Sequence, residues 1–178
     1  MTQRWNRQGV FAGLVALVLA VAVVVVSPTQ ARAASAGPYH IQFRHSGKCL
    51  DNYRGSSAEY NKIQQWTCVA GNGSQKWYFD WAHSGYAWIR NAQTGKCLAV
   101  ADPEGGNGTL VVQRTCASLA SQLWKGTLVY DGNPDYYQMR DMLLTICIDI
   151  PHGSTEDGTP VQMWTCVPGN RQQHLTWY

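Results

Sequence analysis

Cysteines, carboxylates, histidines and one loop serine are the side chains of this 178-residue chain that could do chemistry. The cysteines are the most regular. Cys49 and Cys68, Cys97 and Cys116, and Cys147 and Cys166 are each 19 positions apart, and the first members follow one another at 48 and 50. Thiols can chelate zinc or form bridges. No pair has the CxxC spacing of a zinc site, so a metal is not expected. The repeated spacing marks three internal copies. Among the 15 possible pairings, the simplest has each copy closing its own bridge. Each bridge would stabilise by about 3 kcal/mol in the chain-entropy model. Acid–base chemistry is harder to assemble. A glycosidic bond needs two carboxyls about 5–9.5 Å apart, and Asp51 and Asp149 fall in different copies. Glu156 and Asp157 are neighbours in a Gly/Ser/Thr loop and read as solvated. His40, His45, His83, His152 and His174 show no metal spacing, and Ser74 after Asn72-Gly73 has no nucleophile-elbow frame. The expectation is a protein that is not an enzyme and carries no cofactor.

The elements that position these residues are short. The first copy runs through Tyr39–Phe43, Cys49-Leu50-Asp51, Ile63–Cys68 and Ser74–Trp77. The second runs through Ala87–Asn91, Cys97-Leu98-Ala99, Val112–Cys116 and Ser121–Trp124. The third runs through Tyr137–Arg140, Cys147-Ile148-Asp149, Val161–Cys166 and Arg171–His174. Apolar and polar residues alternate over four to six positions, the period of a strand. Gly71-Asn72-Gly73, Gly105–Gly108, Asp131–Pro134 and Pro168-Gly169-Asn170 punctuate the runs as turns. Nothing after Pro38 holds a helical period. The expected class is all-β, with about four short strands per copy. One copy of about 48 residues buries too little apolar surface to stand alone. Three around an axis share one core and remove free edges. Trp77 and Trp124, each closing a Gln-x-Trp, should lie in that core. His174 falls at the third such position, with Trp177 as a substitute.

Charge and length separate an export segment from the rest. The chain carries 14 Lys+Arg against 11 Asp+Glu, a surplus of three. Arg4, Arg7 and Arg32 all precede position 34, where no acid occurs, so 145 residues remain with 11 of each sign (14 − 3 = 11). Residues 9–26 form an apolar run, Ser27-Pro28 breaks it, and Ala31-Arg32-Ala33 offers a small-residue cleavage site before Ala34. This is the order of a secretory signal over 1–33, and 34–178 should be extracellular and free of the membrane once the signal is cut. Even cysteines suit that compartment. A neutral remainder gives nucleic acid no electrostatic footprint.

The threefold Cys spacing, the Cys-Leu-Asp and Cys-Ile-Asp runs and the Gln-x-Trp motifs resemble the ricin-B-type lectin domain, from about Tyr39 to Tyr178. The resemblance implies a β-trefoil with one disulfide per repeat, the repeats running about 38–84, 85–133 and 134–178. It also implies a shallow sugar site in each intact repeat. An Asp two residues after the first Cys accepts bonds from sugar hydroxyls. A Gln and an aromatic lie four and two positions before the second Cys, and a polar pair fronts Gln-x-Trp. The chemistry is sound on its own terms: a pyranose has a C–H face for an aromatic and vicinal hydroxyls for an anionic acceptor.

Carried over residue by residue, the roles fall to Asp51, Gln64, Trp66 and Gln75 in the first repeat. In the third they fall to Asp149, Gln162, Trp164 and Gln172. Ser74 and Arg171 stand where Asn is usual. The second repeat has Ala99, Val112 and Arg114 instead, so it should be structural. The implied function is a secreted, monomeric lectin for glycans, either galactose-like sugars or polysaccharides such as xylan. A protein-binding trefoil, a protease inhibitor or toxin-like factor, is the alternative. Plainer roles compete as well: Asp51 and Asp149 as turn residues, Trp66 and Trp164 as packing, and the recurrent Gln75, Gln122 and Gln172 as structural.

Overall fold

In Trp77–Trp81 the residues Trp77 and Phe79 are buried while Tyr78 and Asp80 are half-exposed, and the same alternation builds strands down the whole chain. The computed structural model describes residues 34–130, 134–143 and 145–178; the export segment expected at 1–33 lies outside the described residues. A leading strand β1 (Ser35–Tyr39) precedes three sets of four. The first set is β2 (Ile41–Phe43), β3 (Cys49–Asn52), β4 (Asn61–Trp66) and β5 (Trp77–Trp81). The second is β6 (Ala87–Asn91), β7 (Cys97–Val100), β8 (Val111–Arg114) and β9 (Trp124–Tyr130). The third is β10 (Tyr136–Asp141), β11 (Cys147–Asp149), β12 (Gln162–Trp164) and β13 (His174–Trp177). Single 3-10 turns join them, and no α-helix occurs among the described residues.

Pairing closes a ring. β1 pairs with β5, β5 with β6, β6 with β9, β9 with β10, β10 with β13, and β13 with β2. Only His40 separates β1 from β2, so the circuit is complete. Gly37 in β1 is required by this closure. Its φ is +118°, and a Cβ there would lie 2.7 Å from the Trp77 carbonyl oxygen. The hairpins β3–β4, β7–β8 and β11–β12 cover one end of the ring. This is a β-trefoil. The predicted bridges Cys49–Cys68, Cys97–Cys116 and Cys147–Cys166 are present, each across one hairpin with Cα atoms 4.9–5.1 Å apart.

The core fills from all three sets, with Phe43, Leu50, Ile89, Leu98, Met139 and Ile148 buried together. Trp77 and Trp124 are buried as expected, and their indole N–H groups donate to the Leu50 and Leu98 carbonyls at 2.9 and 3.0 Å. The third member corrects the sequence reading. It is neither His174 nor Trp177 but Leu175, fully buried and nine positions after Cys166, as Trp77 is after Cys68. Trp177 is only partly buried and stacks on Tyr137 at 4.4 Å.

Each covering hairpin is pinned by a loop from another set. Glu59 accepts from the Thr115 backbone N–H and hydroxyl, Asn107 does so from Thr165, and Asp157 from Thr67. Asp157 is thus a clip on a loop that is exposed at 155–157, as the sequence reading expects. Lys96 pairs with Glu59 and Lys48 with Asp157. Where the third set has Ile146 in place of that lysine, the clip is the neutral Asn107.

These bonds set the acid sensitivity. The Lys96 and Thr115 bonds hold Glu59 down at about 2. Burial pushes Asp157 up, but the Lys48 and Thr67 bonds outweigh it and its carboxyl is lowered. Burial also lowers His174, with Arg44 and Arg171 adding to it, and lowers His40 beside Lys76. For all four groups the unfolded chain takes up protons first. Their contribution is therefore complete above about pH 6.5 and is lost on acidification. We expect urea midpoints to fall slightly below pH 6.5 as the histidines charge. A further fall is expected between about pH 4.5 and 2 as the clips are protonated. Glu59→Gln should flatten that lower step, and an unchanged acid limb would refute the clip.

Candidate functional site

Asp51 lies at the end of β3 and faces Gln64 of β4 in the strand register. The carboxylate is buried and held from two sides. Gln64 Nε2 donates to Oδ2 at 2.9 Å, and the Ser74 hydroxyl lies 2.8 Å from Oδ1. The Ser74 hydroxyl also lies 2.8 Å from Asn72 Oδ1; its one proton favours the charged acceptor. Trp66, two residues past Gln64 on the same face, is 39% exposed. A ring of that size left open on a strand, beside a fixed carboxylate, is a platform rather than core. The concavity between them is about 550 Å³ and also takes Tyr53, Arg54, Asn72 and Gln93.

The third set repeats the arrangement. Asp149 on β11 faces Gln162 on β12, whose Nε2 donates to Oδ2 at 2.8 Å. Gln172 Nε2 donates to Oδ1 at 2.9 Å. Trp164 is again 39% exposed. His152 and Asn170 complete a concavity of about 260 Å³. Gly153 is needed here: at φ +62° it leaves room that a Cβ, 2.8 Å from Gln172 Oε1, would fill.

Of the eight residues read as site residues, seven are brought together in these two places. Gln75 is not. It is buried and spans its loop, accepting from the Val69 N–H and donating to the Thr67 carbonyl. Gln122 does the same with Ala117 and Thr115, and Gln173, not Gln172, with Val167 and Thr165. The structural reading of the recurrent Gln therefore holds for Gln75, Gln122 and Gln173. The sequence reading places the third motif one position early. Gln172 occupies the place of Ser74, and Arg171 is exposed outside the concavity. Counting from the second cysteine reveals the shift, since Gln75 and Gln173 both lie seven residues on.

Asn72 and Asn170, which the sequence marks only as turn formers, join the candidate sites. Each opens a 3-10 turn by accepting the backbone N–H two residues on, while lining its concavity. The second set has Leu119 there, without a side-chain cap bond. Gly-Asn three and four residues after the second cysteine, present in the first and third copies and replaced by Leu119-Ala120 in the second, is the available signal. Arg54 and His152, three residues after the carboxylates, share a left-handed backbone at φ 54° and 55°. In the second set Ala99 and Val112 are buried, and Arg114 lies over Tyr60, 4.7 Å from the ring centroid. That place has neither acceptor nor platform. Among the described residues no cluster suits a metal ion.

Comparison with known proteins agrees with this fold. The chain is similar to the designed threefold-symmetric protein ThreeFoil, with a TM-score of 0.73 and 25% identity over 79% of this chain and 98% of that one. It is similar to part of 1,3Gal43A, an exo-β-1,3-galactanase from Clostridium thermocellum, with a TM-score of 0.72 and 34% identity. That match covers 78% of this chain but 29% of the galactanase. The ricin B-like lectin of Macrolepiota procera, solved with lactose, shares the fold with a TM-score of 0.65 and 20% identity over 82% of this chain and 94% of that one. No curated protein sequence matches significantly. The model of the ricin-type beta-trefoil lectin domain-like family matches residues 29–80 and 73–164. With a closed trefoil, a bridge in each repeat and a family match over well more than half its length, the chain belongs to the ricin-type β-trefoil lectin family.

Proposed function

We propose that the chain is a secreted, monomeric and non-catalytic carbohydrate-binding protein with two shallow sites, one at Asp51 and Trp66 and one at Asp149 and Trp164. The ligands are galactose-like sugars or polysaccharides such as xylan. One observation carries the reading. A buried carboxylate, a Gln amide that orients it and a 39% exposed Trp occur together twice, and all three are absent together from the middle repeat. A surface that binds protein through its loops gives no reason for that coupling. The carboxylates stay anchored by Gln64, Ser74, Gln162 and Gln172, which leaves their remaining lone pairs for vicinal hydroxyls. Arg4, Arg7 and the apolar run at 9–26 support export, as do the three bridges.

The test is a glycan array probed with residues 34–178. Trp66→Ala and Trp164→Ala should each weaken binding to the best glycan about tenfold, from the loss of one stacking platform of about 1–1.5 kcal/mol. Binding to no glycan, together with inhibition of a protease, would replace this reading with the protein-binding one.

A further inference from the structure

The middle repeat has lost the front site but has a concavity elsewhere, on the flank of the barrel beside its disulfide. Its origin is legible in the chain. The loop from the second cysteine to the structural Gln is seven positions in the first and third repeats and six in the second (Cys116 to Gln122). The residue after that cysteine is Val69 or Val167 in the outer repeats and the smaller Ala117 in the middle one. All three give their N–H to the same Gln oxygen and are therefore equivalent. The shorter loop and smaller side chain leave about 330 Å³ next to Cys97–Cys116.

The floor of this space differs from its counterparts. Arg90 and Arg140 pair with the first cysteine of their repeats, as Gln42 does. Two positions earlier stand Trp88, Gln138 and His40, so only the middle repeat puts a large ring there. The Trp88 indole N–H donates to the Ala117 carbonyl at 3.0 Å, which fixes the ring. In the register of β5 and β6, Asp80 faces Trp88 and Tyr78 faces Arg90. Arg90 donates through Nε and Nη2 to Asp80 at 2.6 and 3.1 Å, and its guanidinium lies 4.6 Å from the centre of the Tyr78 ring. A guanidinium has five N–H donors. Asp80 takes two, and the fork is held in place to offer the others to a pair of adjacent oxygens.

We propose that this flank of the middle repeat is a second kind of sugar-contact site. A pyranose rests its C–H face on Trp88 and the disulfide, and two neighbouring oxygens accept from Arg90. The proposal rests on the lectin reading, but it uses none of the residues of the front sites. It is a donor site, whereas the front sites are built on carboxylate acceptors, so the two differ in the sugar edge they read. A single open site of this kind holds a saccharide too weakly for retention on a matrix by itself.

The experiment is an NMR titration of the 15N-labelled protein with galactose, lactose and xylotriose, following the indole N–H signals of Trp66, Trp164 and Trp88. The Trp88 signal should move with at least one saccharide, and to the same extent in the Asp51→Ala, Asp149→Ala double variant. Ser118→Trp, an exposed substitution at the rim, should weaken the Trp88 response at least tenfold and leave the Trp66 response unchanged. A Trp88 signal that stays still while Trp66 or Trp164 moves overturns this inference and leaves the front sites standing. Three silent indoles overturn both. A Trp88 response that vanishes in the double variant also overturns it, because the flank would then only report the front sites.

Discussion

Retention on galactose- or xylan-bearing matrices is expected to be lost when Asp51→Ala and Asp149→Ala are combined, and to survive, weakened, in either single variant. Each carboxylate is the only anionic group among the residues lining its concavity. A hydrogen bond to a charged group contributes about 1.5–3 kcal/mol, so one substitution should weaken its own site about 10- to 150-fold. The other site should still hold a polymeric ligand. With both gone, the advantage of two simultaneous contacts disappears as well. The substitutions also strand buried partners, since Gln64 Nε2 and Ser74 Oγ lose their shared acceptor in the first site, and Gln162 and Gln172 theirs in the third. Some stability is lost with them, so Asp→Asn at both positions is the companion variant. It keeps the shape and one acceptor oxygen, and should retain the fold while still losing the charge-assisted contacts. Undiminished retention by the folded double variant would remove Asp51 and Asp149 from the binding account. Restoring Ala99→Asp alone should gain nothing, because Val112 and Arg114 leave the new carboxylate without its orienting amide or its platform.

What could be read from the chain depended on whether a residue's role was fixed by spacing or by a turn. The cysteine interval fixed the bridges, because a 19-residue step repeated three times places both sulfurs across one hairpin. Asp51 and Gln64 were legible only through the family resemblance, and the structure places them opposite each other in the hairpin register. The third Gln-x-Trp was not. Two adjacent glutamines, Gln172 and Gln173, fit the motif equally well until the distance from Cys166 is counted. Nor did the motif itself show that Gln75 turns inward to span its loop while Ser74 turns toward Asp51. Asn72 and Asn170 were hidden for a related reason: a turn former and an amide lining a concavity are the same residue type, and only the fold shows one side chain doing both. The clips at Glu59, Asn107 and Asp157 join positions 56 to 90 residues apart, beyond any local pattern.

Truncating Trp124 or Trp77 to Ala should be the most costly single change in the fold, about 3–5 kcal/mol each. Both rings are buried in the shared core, and both indoles satisfy a carbonyl of a covering hairpin, Leu98 for Trp124 and Leu50 for Trp77. Removal therefore opens a cavity and leaves a buried acceptor without its donor. Domain stabilities of about 5–15 kcal/mol make this a large share of the total. Urea unfolding of the oxidised protein measures it, and two further variants apportion it. Trp124→Phe keeps most of the packing but not the N–H, so its smaller loss reports mainly the bond to Leu98, about 1 kcal/mol. Leu175→Ala reports the third position, where packing acts without such a bond. It should cost about 2–5 kcal/mol, whereas His174→Ala should cost less, because His174 is not the residue that fills the core. The transition should remain single in every case: the ring runs β1–β5–β6–β9–β10–β13–β2 through all three repeats, so no repeat has a core of its own to lose separately. A Trp124→Ala protein that unfolds in two steps, or that loses under about 1 kcal/mol, would contradict the shared core on which both candidate sites are mounted.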